Sequence, residues 1–269
     1  MRLQPPPAPP TPTGPDLRYY DQPELWLEDG PIGHPDQLMR ADRVTDEVLG
    51  LRPSRVLEIG AGNGIIANRL TAAGLDVVAT DISPEALRGV EGQAIVASAD
   101  DLPFPDRSFD LTVASEVLEH LASPILEQAG RELERVTDRW LVLTVPNEED
   151  LEAAAVRCPV CTCRFHAHRH LQRFDPDRLA HVIPGFRAIK VLRFGPRDIH
   201  VSHLEASIRR DLLGRTTAWS PVAVCPQCGY RSNGRSAPPK PRWRGLLTRP
   251  IRRRRQRWLL AVLERAEPA

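Results

Sequence analysis

The chain has 269 residues, of which 41% are hydrophobic and 26% are charged. This composition excludes a peptide, a fully disordered chain and a bundle of membrane-spanning helices, and it allows one large domain with an appendage. The net charge of +1 hides an asymmetry, because residues 1–150 carry −15 and residues 151–269 carry +16. We therefore expect the two halves to have different roles. The N-terminus lacks the apolar stretch of a secretory signal, so we expect a cytoplasmic protein with reduced cysteines.

The first half of the chain alternates apolar runs with helical stretches. Residues 1–16 are rich in proline and predict a disordered lead-in, and apolar residues at helical spacing predict a helix at 34–49. The alternation that follows predicts βαβ units and a mostly parallel sheet, whose functional groups lie at the carboxyl ends of the strands. The predicted strands are 55–59, 77–80, 94–97, 111–114 and 140–145.

The pattern changes after the fifth predicted strand. A cysteine-rich insert occupies residues 158–170, and a helix near 177–182 and a strand near 186–194 follow it. A second cysteine pair lies at 225–229. The folded domain is therefore expected to span residues 17–231, and the Pro- and Arg-rich residues 232–269 predict a basic tail outside it.

The strongest motif is the sequence VLEIGAGNG at residues 56–64, where a strand runs into three glycines and then a helix. Such glycines let the backbone turn tightly and approach a ligand closely. A dinucleotide fingerprint needs its third glycine where this chain has Ile65, so the spacing disfavours NAD. Asp81 ends the second predicted strand, where its carboxylate can hold both hydroxyls of a ribose or can cap the following helix.

These residues resemble the class I S-adenosylmethionine-dependent methyltransferases of type 11 or 12. Further matches are the sequences LPF at 102–104, SFD at 108–110, SEVLEH at 115–120 and TVPN at 144–147. The resemblance implies an α/β fold with a doubly wound, seven-stranded Rossmann-like sheet and S-adenosylmethionine as the cofactor. With the cysteine pairs, the expected fold also carries a small zinc-binding insert.

The resemblance also implies a set of cofactor-binding residues. Gly60, Gly62 and Gly64 would line the methionine part, with Glu58 near its amino group. Asp81 would hold the ribose, and the adenine would lie loosely against Ala99 and Asp100. The full expected set is Glu58, Gly60, Ala61, Gly62, Gly64, Asp81, Ile82, Ala99, Asp100 and Ser115.

Methyl transfer from a sulfonium needs mainly positioning and at most one base. His120 is the candidate base and Glu116 a second catalytic candidate, because both follow the fourth predicted strand. The alternative is that Glu116, Glu119 and His120 only pair on one helix face. The same segment is similar to that of ubiquinone-biosynthesis O-methyltransferases, which implies Mg²⁺ on these three residues.

The cysteines form two Cys-x-x-Cys pairs, Cys158 with Cys161 and Cys225 with Cys228. Two such pairs predict one structural, tetrahedral Zn²⁺ site, with a redox role as the competing interpretation. A site of Cys158, Cys161, Cys163 and His166 stays open as an alternative ligand set. A similar insert occurs in many bacterial methyltransferases of this class.

The segment 249–263 combines an arginine run with apolar residues that include Trp258. It is typical of a solvated charged tail or of a segment that contacts an anionic surface, and the apolar residues favour the inner membrane surface over nucleic acid as that contact.

The expected function is methylation of a small-molecule, sugar or lipid-linked acceptor. Oxygen is favoured because no Asn-Pro-Pro-Tyr type motif follows the fourth predicted strand. The alternatives are a zinc-assisted RNA methyltransferase and a non-catalytic cofactor-binding or zinc-ribbon adaptor.

Overall fold

The computed structural model describes residues 17–27, 33–200, 222–231 and 253–266. Within these ranges the α-helices are α1 (Leu17–Tyr20), α2 (Pro23–Trp26), α3 (Pro35–Leu51), α4 (Ile65–Ala72), α5 (Ser123–Val136) and α6 (Pro176–Ala180). The strands are β1 (Arg55–Ile59), β2 (Asp76–Asp81), β3 (Gln93–Val96), β4 (Phe109–Ser115), β5 (Thr137–Pro146), β6 (Ala155–Arg157), β7 (Arg164–His166), β8 (Phe186–His200) and β9 (Arg253–Arg265). The predicted strands and helices are confirmed, with bounds shifted by a few residues and with β8 extended. The predicted lead-in at 1–16 lies outside the described residues.

Seven strands form one sheet in the order β3-β2-β1-β4-β5-β9-β8. Strands β1 to β5 pair with one another in parallel, whereas β9 is antiparallel to both β5 and β8. The strand order reverses between β1 and β4, which is where open α/β sheets bind ligands. The seven-stranded Rossmann-like sheet expected from the sequence is therefore confirmed.

Helices cover both faces of this sheet. Val44 and Val48 of α3 pack with α4 against one face, in a cluster that includes the β1 residue Val56. Leu126 and Leu133 of α5 pack against the other face. The sheet residues are apolar on both sides because parallel strands between two helical layers have no solvent-facing side. No helix in the described ranges is long and apolar enough to cross a membrane.

Strand β9 corrects the C-terminal part of the predicted basic tail at residues 232–269, whereas residues 232–252 lie outside the described residues. Trp258 is only 1% exposed and the apolar run 259–263 is buried, because β9 pairs with β5 on one side and β8 on the other. The run resembles a short amphipathic segment in the sequence, yet it is a strand buried on both faces. The domain therefore extends beyond residue 231, and the apolar residues that favoured a membrane surface lie in the core.

The arginines at the start of β9 also have partners within the fold. Arg257 forms ion pairs with Asp36 at 2.7 Å and with Asp198 at 2.5 Å, and Arg255 contacts Glu148. These pairs neutralise part of the basic run inside the domain. Two of the four described arginines of the run, Arg255 and Arg257, are therefore paired within the domain.

Candidate functional site

A cavity of about 580 Å³ lies at the carboxyl ends of β1, β2, β4 and β5. Its floor is the glycine-rich turn after β1, and residues 17–27, here called the N-terminal segment, form part of its wall. Tyr19, Tyr20, Leu25 and Trp26 are the wall residues from this segment. The cavity is therefore enclosed by residues far apart in the sequence.

The glycine-rich turn requires glycine where it meets the cavity. Gly60 has a φ of 62°, and a Cβ added there would lie 2.4 Å from Cγ2 of Val117. Gly64 has a φ of 79° and begins α4 against Val90, so it supports the turn without lining the cavity. Of the predicted glycines, Gly60 and Gly62 thus border the cavity and Gly64 does not.

Asp81 ties the glycine-rich turn to the end of β2. Its carboxylate accepts hydrogen bonds from the backbone amides of Gly62 at 3.0 Å and Ser83 at 2.9 Å. Burial raises the pKa of Asp81, and these amides oppose the shift. The residue borders the cavity and also holds the following turn, so both interpretations from the sequence describe part of its environment.

Glu58 is a buried carboxyl group at the same end of the cavity. Burial raises its pKa to about 8, although the guanidinium of Arg40 opposes the shift. Its Oε2 atom has no hydrogen-bond partner among the described residues. A buried acceptor of this kind fits a ligand that brings an ammonium group, as the methionine part of S-adenosylmethionine does.

The remaining predicted cofactor residues divide into two groups. Ala61, Ile82, Ala99 and Ser115 border the cavity, and the Ser115 hydroxyl contacts Arg40 and lies 2.8 Å from Oγ1 of Thr144. Asp100 does not border it, and its carboxylate instead accepts a hydrogen bond from Ser98.

The opposite side of the cavity is lined by imidazoles and carboxylates. His120 and Glu119 come from the turn after β4, whereas His168, His170 and Glu149 come from the segment after β5. The insert docks there because the backbone amides of Leu171 and Gln172 donate to the Glu119 carbonyl at 2.7 and 3.0 Å. The sequence left open whether the histidines of the insert, which directly follows the fifth strand, would face this site or solvent, and the contribution of Glu149 was missed.

Glu149 lies between two histidines of the insert, His166 and His170. One carboxylate oxygen lies 3.3 Å from Nε2 of His166, and the other contacts Nδ1 of His170. Burial acts to raise the pKa of Glu149, but the hydrogen bonds from the two imidazoles lower it well below its usual range. Glu149 is therefore an anion that orients both rings.

Glu119 is buried and His120 is partly buried, and the carboxylate of Glu119 and Nδ1 of His120 have no hydrogen-bond partner among the described residues. Burial lowers the pKa of His120 well below its ordinary value, so the ring is neutral near pH 7. Burial and the neighbouring Glu116 raise the pKa of Glu119 well above its ordinary value. The imidazole of His120 lies edge-to-face with that of His170, with ring centroids 4.7 Å apart.

Glu116 faces a different set of partners. Its Oε2 accepts a hydrogen bond from Nε1 of Trp258 at 3.0 Å, and its Oε1 accepts one from Oγ1 of Thr144 at 3.3 Å. In the described part of the chain, the metal-ligand atoms near Glu119 and His120 group with His170 rather than Glu116. The trio predicted for Mg²⁺ is thus not the trio that the fold brings together.

The four cysteines of the two Cys-x-x-Cys pairs lie together. Their sulfur atoms are all within 4.8 Å of one another, and Cys158 to Cys228 and Cys161 to Cys225 are 3.6 and 3.4 Å apart. A tetrahedral zinc site has sulfur atoms about 3.8 Å apart, so the cluster has the size of such a site. The fold therefore gathers the four-cysteine set, whereas His166 of the alternative set contacts Glu149.

The second cysteine pair also braces the N-terminal segment. Gln22 is 4% exposed and donates from Nε2 to the Val222 carbonyl at 3.0 Å, and Arg18 donates to the Pro226 carbonyl at 2.7 Å. Tyr19 packs in a small apolar cluster with Val224. Residues 222–231 thus connect the cysteine cluster to one wall of the cavity.

Comparison with known proteins agrees with this fold. A family model described as a methyltransferase domain matches residues 57–139. The chain is 30% identical over 247 residues to 27-O-demethylrifamycin SV methyltransferase of Amycolatopsis mediterranei (strain S699), covering 79% of this chain and 85% of that protein.

Two solved structures share the fold at low identity. A SAM-dependent methyltransferase from Archaeoglobus fulgidus matches with a TM-score of 0.53 and 15% identity over 84% of this chain and 93% of that one. The 1,6-didemethyltoxoflavin-N1-methyltransferase from Burkholderia thailandensis matches with a TM-score of 0.50 and 14% identity over 90% and 84% of the two chains.

The chain belongs to the S-adenosylmethionine-dependent methyltransferases. The resemblance stated from its motifs is therefore confirmed.

Proposed function

We propose that the protein transfers a methyl group from S-adenosylmethionine to a hydroxyl oxygen of a small-molecule acceptor. One observation carries this proposal: a single cavity has the glycine-rich turn with Glu58 and Asp81 on one side and histidine imidazoles on the other. A cofactor and an acceptor held on these two sides would share one enclosed space. Such positioning supplies most of what this reaction needs.

The glycine-rich side would hold the cofactor, which supplies an activated sulfonium methyl group when bound. Glu58 would accept hydrogen bonds from its amino group, and Asp81 would accept them from the ribose hydroxyls. The backbone of Gly60 and Gly62 would lie against the methionine part. Ile82 and Ala99 would offer apolar contacts to the adenine.

The imidazole side would receive the acceptor. A hydroxyl group loses its proton as the oxygen–carbon bond forms, and the neutral ring of His120 can take up or polarise that proton. An amine acceptor needs this help less. The relative named for methylating 27-O-demethylrifamycin SV supports an oxygen acceptor on a small molecule.

Calorimetric titration with S-adenosylmethionine tests the cofactor assignment. Asp81→Ala should weaken binding about tenfold or more, because it removes acceptors for two hydroxyl groups. Asp76→Ala is the matched control, since Asp76 lies at the exposed start of the same strand and should leave the affinity unchanged. Equal affinities of the two variants would contradict the ribose assignment.

An acceptor screen tests the reaction class. Hydroxylated polyketides, sugars and lipid-linked sugars are compared with matched amines, and methylated products are identified by mass spectrometry. We expect turnover with a hydroxylated small molecule. Cofactor binding without any turnover would instead favour the non-catalytic adaptor considered from the sequence.

The four-cysteine cluster is proposed to bind one structural Zn²⁺. Four thiolates close the coordination shell, so this ion would hold the insert and residues 222–231 together without touching substrate. Cys225→Ser should lower the zinc content by about one ion per chain. Cys163→Ser, outside the cluster, should leave it unchanged, and equal zinc contents of the two variants would refute the site.

Contacts in the structure weaken the RNA-methyltransferase alternative. It rested on the positive second half of the chain and the arginine run. Arg255 and Arg257 of that run form ion pairs with acidic residues of the domain. We therefore retain the small-molecule acceptor.

A further inference from the structure

Three side chains on the imidazole side of the cavity have the arrangement of a metal-binding triad. One ligand atom from each of Glu119, His120 and His170 lies within 4.8 Å of the others. All three residues border the cavity, so ligand positions not taken by protein would face the space proposed for the acceptor. Two imidazoles and one carboxylate form the donor set of many catalytic divalent metal sites.

The environment of Glu119 supplies an independent observation. The residue is fully buried, and both of its carboxylate oxygens have no hydrogen-bond partner among the residues that the structure describes. A buried carboxyl group without partners is costly, because burial removes the water that would otherwise solvate it. A cation bound between Glu119 and the two imidazoles would remove this cost.

The hydrogen bonds around Glu149 prepare His170 for such a role. The carboxylate contacts Nδ1 of His170, so that nitrogen carries the proton and Nε2 keeps a free lone pair. Metal-ligating histidines commonly donate their other ring nitrogen to a carboxylate in this way. Glu149 is therefore a positioning residue for His170.

Glu149, His166 and His170 form a second group of possible ligands within 4.8 Å of one another, but the hydrogen bonds of His166 disfavour it as a ligand. Its Nδ1 accepts from the backbone amides of His168 at 3.3 Å and His170 at 3.2 Å. The ring proton therefore lies on Nε2, which is 3.3 Å from the Glu149 carboxylate. His166 fixes Glu149, and Glu149 fixes His170.

We propose that Glu119, His120 and His170 bind one divalent first-row transition metal ion, such as Mn²⁺, Fe²⁺ or Zn²⁺. The two imidazoles favour these ions over Mg²⁺, which prefers an all-oxygen shell. The consequence for catalysis rests on the proposed function: with the ion bound, His120 would be a ligand instead of the base, and a metal-bound acceptor hydroxyl would be more acidic and would release its proton to water as the methyl group is transferred.

Titration of the full-length protein with Mn²⁺ alone tests the site, with free Mn²⁺ followed by its EPR signal. Mn²⁺ is chosen because the four-cysteine cluster, with soft thiolate ligands, does not favour it. Wild-type protein should bind about one Mn²⁺ per chain, and Glu119→Gln and His170→Ala should each weaken binding at least about tenfold. His168→Ala is the matched control from the same insert and should bind as wild type does.

Two results would overturn the proposal. In one, wild-type protein does not reduce the free Mn²⁺ signal at Mn²⁺ concentrations up to about 1 mM, at which even a weak site would be occupied. The other is equal binding by wild type, Glu119→Gln and His170→Ala. S-adenosylmethionine affinity measured on the same samples shows that the variants are folded, and it tests the proposed function separately from the metal site.

Discussion

Trp258 donates a hydrogen bond from Nε1 to Oε2 of Glu116 at 3.0 Å. This bond joins β9, near the end of the chain, to the turn after β4 that borders the cavity. Glu116 has a φ of 60°, a backbone conformation that residues other than glycine rarely adopt. The last strand of the sheet therefore helps to hold the wall of the site.

Trp258→Phe should lower the free energy of unfolding by about 1–3 kcal/mol more than the loss of indole volume alone would, because Glu116 loses the hydrogen bond from Nε1 of Trp258. The control is Trp140→Phe on β5, which removes a similar ring volume from a buried indole that packs against the Arg139 guanidinium instead of a carboxylate. Chemical denaturation measures both variants. Equal losses would attribute the effect to packing.

Glu58 predicts a proton released on cofactor binding. With a pKa of about 8, the buried carboxyl group is mostly protonated at pH 7 in the free protein. A bound ammonium group would favour the carboxylate, so binding at pH 7 should release up to about one proton. Calorimetry in buffers of different ionisation enthalpy measures this number, and Glu58→Gln should abolish it.

The same group sets a pH dependence of stability. Because the pKa in the folded state lies above that of the unfolded chain, the folded state binds more protons between pH 4.5 and about 8. Stability of the free protein should therefore fall as pH rises through this window. Glu58→Gln should make the fall shallower, and an unchanged slope would contradict the raised pKa.

Glu149→Gln should lower kcat by about tenfold to a hundredfold, because His170 loses the carboxylate that fixes its tautomer. The affinity for S-adenosylmethionine and the melting temperature should change little. Glu148→Gln is the matched control, since Glu148 is the next residue in the chain and its carboxylate contacts Arg255 rather than a histidine. A similar kcat for both variants would contradict a role of Glu149 in catalysis.

Sequence patterns were sufficient for the first two-thirds of the fold. Buried parallel strands are short apolar runs bounded by turn residues, and β1, β2 and β4 have that form. The VLEIGAGNG motif was recognised because its glycines must adopt positive φ angles at fixed spacing. The same patterns were misleading for β9, because an arginine run followed by apolar residues is also typical of an amphipathic segment at a surface.

By itself, the sequence determined the methyltransferase class, the cofactor-binding turn and the two cysteine pairs. Each depends on residues close together in the chain, where spacing reports local geometry directly. Only the tertiary structure decided that Trp258 lies in the core, that the cysteine pairs meet, and that Glu149 and His170 join Glu119 and His120 at one cavity. These contacts form between distant segments after the sheet has assembled, and no local periodicity encodes them.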